Sequence, residues 1–306
     1  MNNISFKQLL RESLKSKDTE EWLDVWFTRP VGLAMALAFR RLGITPNAVT
    51  IGGIVLSVVA GWMFMHTGLA WNVCGVVLLM VSNFCDSADG QLARLTNHKT
   101  SIGRMLDGLS GEVCFFFLYL AVVVRLWNMP IPFTSVPWQG WGIVLCAFSG
   151  FIVHSPQSTL ADYYRQIHLW FIKGESGSEL DSYAKEKQIY ESLRQQGFSW
   201  DLVFHFFYRN YCRRQERLTP QFQQFFPAYR AHPDYSISET FIHGSRPLMK
   251  YTNILTFNTR AIIFYVAALI NLPWLFPLAD IVVFLPLFLY MRYKHEHLCK
   301  TLKAKI

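Results

Sequence analysis

Residues 86–94 read DSADGQLAR and residues 103–112 read GRMLDGLSGE, with eight residues between the two pieces. A largely apolar run precedes the first piece and another follows the second. On a helix Asn83, Asp86, Asp89 and Gly90 recur at three- and four-residue steps and share one face; Gly103, Asp107 and Gly111 do the same on the next helix. A charged group inside a membrane segment costs roughly 2.5–3.5 kcal/mol on insertion scales, so these carboxylates are expected to face a polar cavity. Two short polar faces then meet at the cytoplasmic ends of two membrane helices. Three close carboxylates repel one another unless a cation neutralises them. Oxygen-only donors, with no histidine or thiolate in the motif, favour a hard ion, Mg²⁺ or Mn²⁺.

The rest of the chain agrees with a membrane setting. Of 306 residues, 52% are apolar and 16% aromatic, which suits a polytopic membrane protein better than a soluble one. Met1 to Glu21 is polar and charged, so no cleaved signal segment is expected. The six cysteines form no CxxC pair and read as packing residues. Six spans are expected, near 47–65, 71–94, 100–126, 139–162, 251–272 and 274–293. That topology leaves every Lys and Arg except Arg125 on one side, which the excess of positive charge marks as cytoplasmic. Both termini and the aspartates are then expected at the cytoplasmic face of the inner membrane. The formal charge of +8 is scattered rather than gathered into a stripe, which argues against nucleic acid as a partner.

The expected fold is all-α, with four segments: a juxtamembrane N-terminal part (1–44), spans one to four with the aspartate motif (45–162), a helical cytoplasmic or interfacial insertion (163–250), and spans five and six with a basic tail (251–306). In the first segment Trp22 to Phe27 is interleaved with Glu20, Glu21 and Asp24, too short to cross a bilayer, and reads as an interfacial helix broken at Arg29–Pro30. Thr45 and Pro46 supply an N-cap and a first-turn proline for span one. Ser176 or Ser178 is expected to cap a charged helix in the insertion. Its aromatic stretches, 200–211 and Phe222, Phe225 and Phe226, fit either the headgroup zone or the core of a small subdomain.

The motif resembles the signature of the CDP-alcohol phosphotransferases: D-x2-D-G-x2-A-R, eight residues, then G-x3-D-x3-D. Asp86, Asp89, Gly90, Ala93, Arg94, Gly103 and Asp107 fall on it, whereas Gly111 stands at the last aspartate and Glu112 follows. The resemblance implies six membrane helices with an interfacial N-terminal helix, usually as a homodimer. It implies an enzyme that breaks the pyrophosphate of a CDP-linked donor, passes the substituted phosphoryl group to an alcohol and releases CMP. Asp86, Asp89 and Asp107 are then ligands of two Mg²⁺ or Mn²⁺ ions, and Gly90, Arg94, Gly103 and Asn83 belong to the nucleotide side. Glu112, with Asp107, is expected to do the catalytic work of the missing aspartate, as general base and metal ligand. It lies about 100° further round an ideal helix than Gly111, and a π-bulge would bring it back. His98 or a metal-bound water is the alternative base.

Residues 18–22, Arg29–Pro30, 161–165, 173–175 and 248–253 look like a bacterial branch of the family that is associated with inositol lipids. The expected reaction is phosphatidyl transfer from CDP-diacylglycerol to a polar alcohol, inositol phosphate or inositol. Lys99, Arg104, Arg165 and Arg260 are candidate cations for an acceptor phosphate. Two alternatives remain open from sequence. One is transfer from a soluble CDP-alcohol to diacylglycerol or ceramide; the other is a non-catalytic binder of CDP-lipids.

Overall fold

The computed structural model describes residues 6–13, 16, 18–98 and 100–306. Regular structure among them is helical, apart from one β-bridge between Pro130 and Pro137. In chain order the helices are α1 (Phe6–Ser13), α2 (Arg29–Arg41), α3 (Pro46–Met63), α4 (Leu69–Leu95), α5 (Ser101–Leu126), α6 (Gly140–Ala147), α7 (Ser155–Lys173), α8 (Tyr183–Gln195) and α9 (Trp200–Leu218). They continue with α10 (Pro220–Ala231), α11 (Tyr235–Ile254), α12 (Phe257–Leu269), α13 (Leu275–Ala279) and α14 (Leu285–Lys303). Wider π-helical turns lie at Asp24–Thr28, Phe148–His154 and Asp280–Phe284.

Five helical segments among the described residues are long and apolar enough to cross a membrane: Pro46–Met63, Leu69–Leu95, Ile102–Leu126, Gly140–Lys173 and Leu275–Lys303. The expected fifth span, 251–272, is not one helix. α11 ends at Ile254, and Thr256 closes the turn by donating its hydroxyl to the Asn253 carbonyl at 2.6 Å. The 13 residues of α12 then rise about 20 Å, short of a hydrocarbon core of about 30 Å. The helical segment that holds the expected fourth span runs on to Lys173.

Helix starts follow local chemistry. Thr45 accepts from the Ala48 amide with Pro46 in the first turn, and Thr100 accepts from the Gly103 amide at 3.0 Å. Ser182, rather than Ser176 or Ser178, caps α8 by accepting from the Lys185 amide, because Ser176 is taken up in a 3₁₀ turn, Glu175–Gly177. The expected break at Arg29–Pro30 is absent. The Arg29 amide donates to the Asp24 carbonyl five residues back, and the missing N–H of Pro30 falls where this wider register returns to α-helix.

The chain forms two compact units. One unit comprises Met1–His154 with Phe257–Ile281. Its core is built by α3, α4 and α5 around Ala60, Phe64, Leu79, Leu118 and Ala121, all fully buried. α2 lies directly on α4, where a Cβ on Gly32 would fall 2.6 Å from Ser87 Oγ. A polar network is buried in the same unit: Arg260 donates to Asp280, which also accepts from Tyr119 and, at 3.1 Å, from Ser149. The other unit comprises Ser155–Thr256 with Val282–Ile306. Its centre is aromatic, with Phe171 stacked on Phe241 at 4.0 Å and Tyr164 on His295 at 3.7 Å. Phe222 and Phe225 are buried there, which settles their role as core, whereas Trp200 and Phe207 are exposed.

Candidate active site

α4 and α5 are joined by a short turn through Asn97, whose backbone is left-handed (φ 53°), so the end of one helix lies near the start of the next. α4 carries Asn83, Asp86, Asp89, Gly90 and Arg94; α5 carries Gly103, Asp107, Gly111 and Glu112. Asp86 and Asp107 are exposed, and Asp89 is buried at 5%. The three charges act on one another: Asp86 feels Asp107 and Asp89, and Asp89 feels Asp107 together with the opposing charge of Arg94. The burial of Asp89 is offset by α3, where Thr50 Oγ1 donates to Asp89 Oδ2 at 2.5 Å. Ser110 Oγ on α5 donates to Asp86 Oδ1 on α4 at 3.5 Å.

Small residues leave room beside the carboxylates. A Cβ added at Gly108 or Gly111 would meet nothing within 4 Å, and one at Gly90 would meet only Arg94 Nη1, at 3.7 Å. Gly103 is closely packed instead, with Asn47 Oδ1 3.0 Å from such a Cβ. The site therefore has open backbone at three of its glycines, and a close helix contact at the fourth.

Residues 43–169 match the family model for CDP-alcohol phosphatidyltransferases. The match spans less than half of the chain. The matched segment covers α3 to α5 and most of the Gly140–Lys173 segment, and so includes every aspartate of the motif. A curated relative, archaetidylinositol phosphate synthase of Pyrococcus horikoshii, is 35% identical over 92 residues, which are 29% of this chain and 47% of the relative. The chain thus spans about half the length of the curated relative it matches. No solved structure matches it.

Around the matched segment, other candidates are placed differently from expectation. Glu112 is exposed, and α5 is α-helical without a π-bulge from Ser101 to Leu126. Glu112 is five residues beyond Asp107, hence about 140° round the helix from it. Arg260 is fully buried against Asp280 and is not available to an acceptor phosphate. Arg165 donates to Asn253 at 2.7 Å and to Thr256 at 3.4 Å. Arg104 and His98 are exposed, and Lys99 lies outside the described residues.

Sequence reasoning missed a second group of polar residues. Asn83 Nδ2 donates to Asn258 Oδ1 at 3.5 Å, and Asn258 Nδ2 in turn donates to Glu21 Oε2 at 2.8 Å and Asp24 Oδ1 at 2.9 Å. Asp24 also lies within electrostatic reach of Asp86. The available signal was Asn258 itself, an amide just before the apolar run 261–270 that needs partners when buried.

Proposed function

We propose that the protein is a membrane-embedded phosphatidyltransferase that uses CDP-diacylglycerol as donor and a polar alcohol, inositol phosphate or inositol, as acceptor. The observation that carries this reading is that Asp86 and Asp89 on α4 and Asp107 on α5 lie within electrostatic reach of one another inside the segment that matches the family model. The inositol phosphate acceptor is supported by the name of the archaeal relative, and the cytoplasmic placement by the side on which Lys and Arg accumulate.

The residues fit a divalent cation. The donor set is oxygen only, two of its carboxylates are exposed, and a Cβ at Gly108 or Gly111 would meet nothing within 4 Å. Asp86, Asp89 and Asp107 would hold one or two such ions, Mg²⁺ or Mn²⁺. Bound there, the metal would polarise the donor pyrophosphate and stabilise the departing phosphate.

The chain's own groups do the rest. Thr50 holds Asp89 in one orientation. Arg94, beside Gly90, pairs with phosphate oxygens, and the bare backbone at Gly90 admits the nucleotide. The acceptor oxygen forms a bond to the lipid-side phosphorus while the phosphoanhydride bond to CMP breaks. CMP leaves with the bonding electron pair, and the hydroxyl proton passes to a carboxylate of the site.

The test is product analysis by mass spectrometry after incubating purified protein with CDP-diacylglycerol, Mg²⁺ and, in separate reactions, inositol phosphate, inositol and glycerol phosphate. Phosphatidylinositol phosphate or phosphatidylinositol is the expected product. A product formed only when a soluble CDP-alcohol meets diacylglycerol or ceramide would reverse the direction of transfer.

A further inference from the structure

The N-terminal segment is locked onto α4 by several independent contacts. Arg29 makes a two-pronged ion pair with Glu20 at 2.8 and 2.9 Å, and its carbonyl accepts from Gln91 Nε2 at 3.1 Å. Phe27 packs edge-on against Phe84 at 5.3 Å, and Gly32 lets α2 touch Ser87. These contacts fix the π-helical turn Asp24–Thr28 in register against the part of α4 that bears Asp86 and Asp89. Wide turns of this kind recur at functional sites, because they re-aim side chains that a regular helix would send elsewhere.

Onto this frame Asn258 adds a clamp. It is 8% exposed, and its amide spans three elements: the N-terminal segment through Glu21 and Asp24, α12 where it resides, and α4 through Asn83. Asn83 is one helical turn before Asp86 on the same face. An amide N–H₂ that donates to two carboxylates stabilises them as acceptors and sets their direction. Asp24, so held within electrostatic reach of Asp86, raises the repulsion in the cluster, a cost that a bound cation removes. Glu112 meanwhile sits on a different face of α5, and Gly111 offers no side chain.

We propose that Asp24 is the fourth carboxylate of the cation-binding cluster and that Asn258 is the residue that positions it. The proposal rests on the transferase reading of the site, but its own readout is cation binding. Asp24 joins the cluster from the N-terminal segment, where it would meet the cation or the acceptor hydroxyl. Glu21, sharing the same amide, fixes the orientation of Asn258. The N-terminal segment is thereby a wall of the site as well as an interfacial helix.

The experiment is Mn²⁺ titration of purified, detergent-solubilised protein followed by electron paramagnetic resonance, with melting temperatures recorded in chelator. Asp24→Asn, Asn258→Ala, Glu112→Gln and Asp86→Asn are compared with the parent. Asp24→Asn is expected to weaken Mn²⁺ binding at least 10-fold, as Asp86→Asn does, while its cation-free melting temperature is unchanged or higher because repulsion is relieved. Glu112→Gln is expected to bind Mn²⁺ within about 2-fold of the parent, and Asn258→Ala to show a smaller loss than Asp24→Asn. Parental Mn²⁺ affinity in Asp24→Asn, or a 10-fold loss in Glu112→Gln instead, would overturn the assignment. A CMP-release assay on the same samples separates the two claims. Loss of Mn²⁺ in Asp24→Asn with no CMP from the parent leaves Asp24 assigned and the transferase reading refuted. CMP release and Mn²⁺ binding that ignore Asp24 refute the assignment and leave the transferase intact.

Discussion

Thr50 offers a sharp test because its contact is short, buried and removable without changing shape. Its hydroxyl donates to Asp89 at 2.5 Å, and both residues are at most 5% exposed. The Pro46 carbonyl lies 3.1 Å from the same oxygen, but the single hydroxyl proton goes to the nearer and charged partner. Thr50→Val keeps the volume and removes that proton. A hydrogen bond to a charged group contributes roughly 1.5–3 kcal/mol, and loss of a partner that orients a metal ligand weakens affinity about 10- to 100-fold. The variant is therefore expected to need about 10- to 100-fold more Mn²⁺ for half-saturation, read by electron paramagnetic resonance or by cation-dependent CMP release. Its melting temperature in chelator should fall, since Asp89 stays buried with one donor fewer. Unchanged cation affinity together with an unchanged melting temperature would refute the claim that Thr50 holds a ligand in place.

Asp280→Asn removes the charge that answers fully buried Arg260 and should cost roughly 3–5 kcal/mol, seen as a large fall in melting temperature. Arg260→Met with Asp280→Leu should recover part of that loss, and a single variant as stable as the parent would contradict the buried pair. Cys212 is buried in α9, and burial with the nearby charges of Glu186 and Asp181 pushes its thiol well up from the ordinary cysteine range. It should stay unmodified by N-ethylmaleimide at pH 8 in folded protein and react after denaturation; rapid labelling of the folded protein would contradict the packing of that helix.

Hydrophobic runs of span length carried much of the architecture. The runs at 46–63, 69–95 and 102–126 are visible from composition alone, and Thr45–Pro46 and Thr100 mark their starts through local capping. The stretch 251–272 misled because summed hydropathy does not register a turn. One hydroxyl at Thr256 and the segregation of Phe257–Leu269 into a different unit divide it. Ser182 was missed as a cap because Ser176 and Ser178 offer the same chemistry, and the sequence does not show that a 3₁₀ turn takes up Glu175–Gly177.

The three aspartates were legible because helical periodicity puts each set on one face. The contacts of Thr50 with Asp89 and of Asn258 with Asn83 were not, because they come from elements far away in sequence, and nothing in a linear motif records which helix leans on which. Glu112 was singled out by its closeness in sequence to Gly111. An unbroken α-helix turns that closeness into a different direction, and only the backbone decides between the two. Arg260 looked like a free cation until its partner, 20 residues on, was placed against it.

The most direct measurement is acceptor-dependent CMP release from CDP-diacylglycerol in detergent–lipid micelles, with the parent protein and Asp107→Asn side by side. The account predicts CMP that requires both a divalent cation and the acceptor alcohol, and that falls at least 100-fold in Asp107→Asn. CMP formation that persists in chelator, or that Asp107→Asn leaves unchanged, would contradict a phosphatidyl transfer run by the aspartates of α4 and α5.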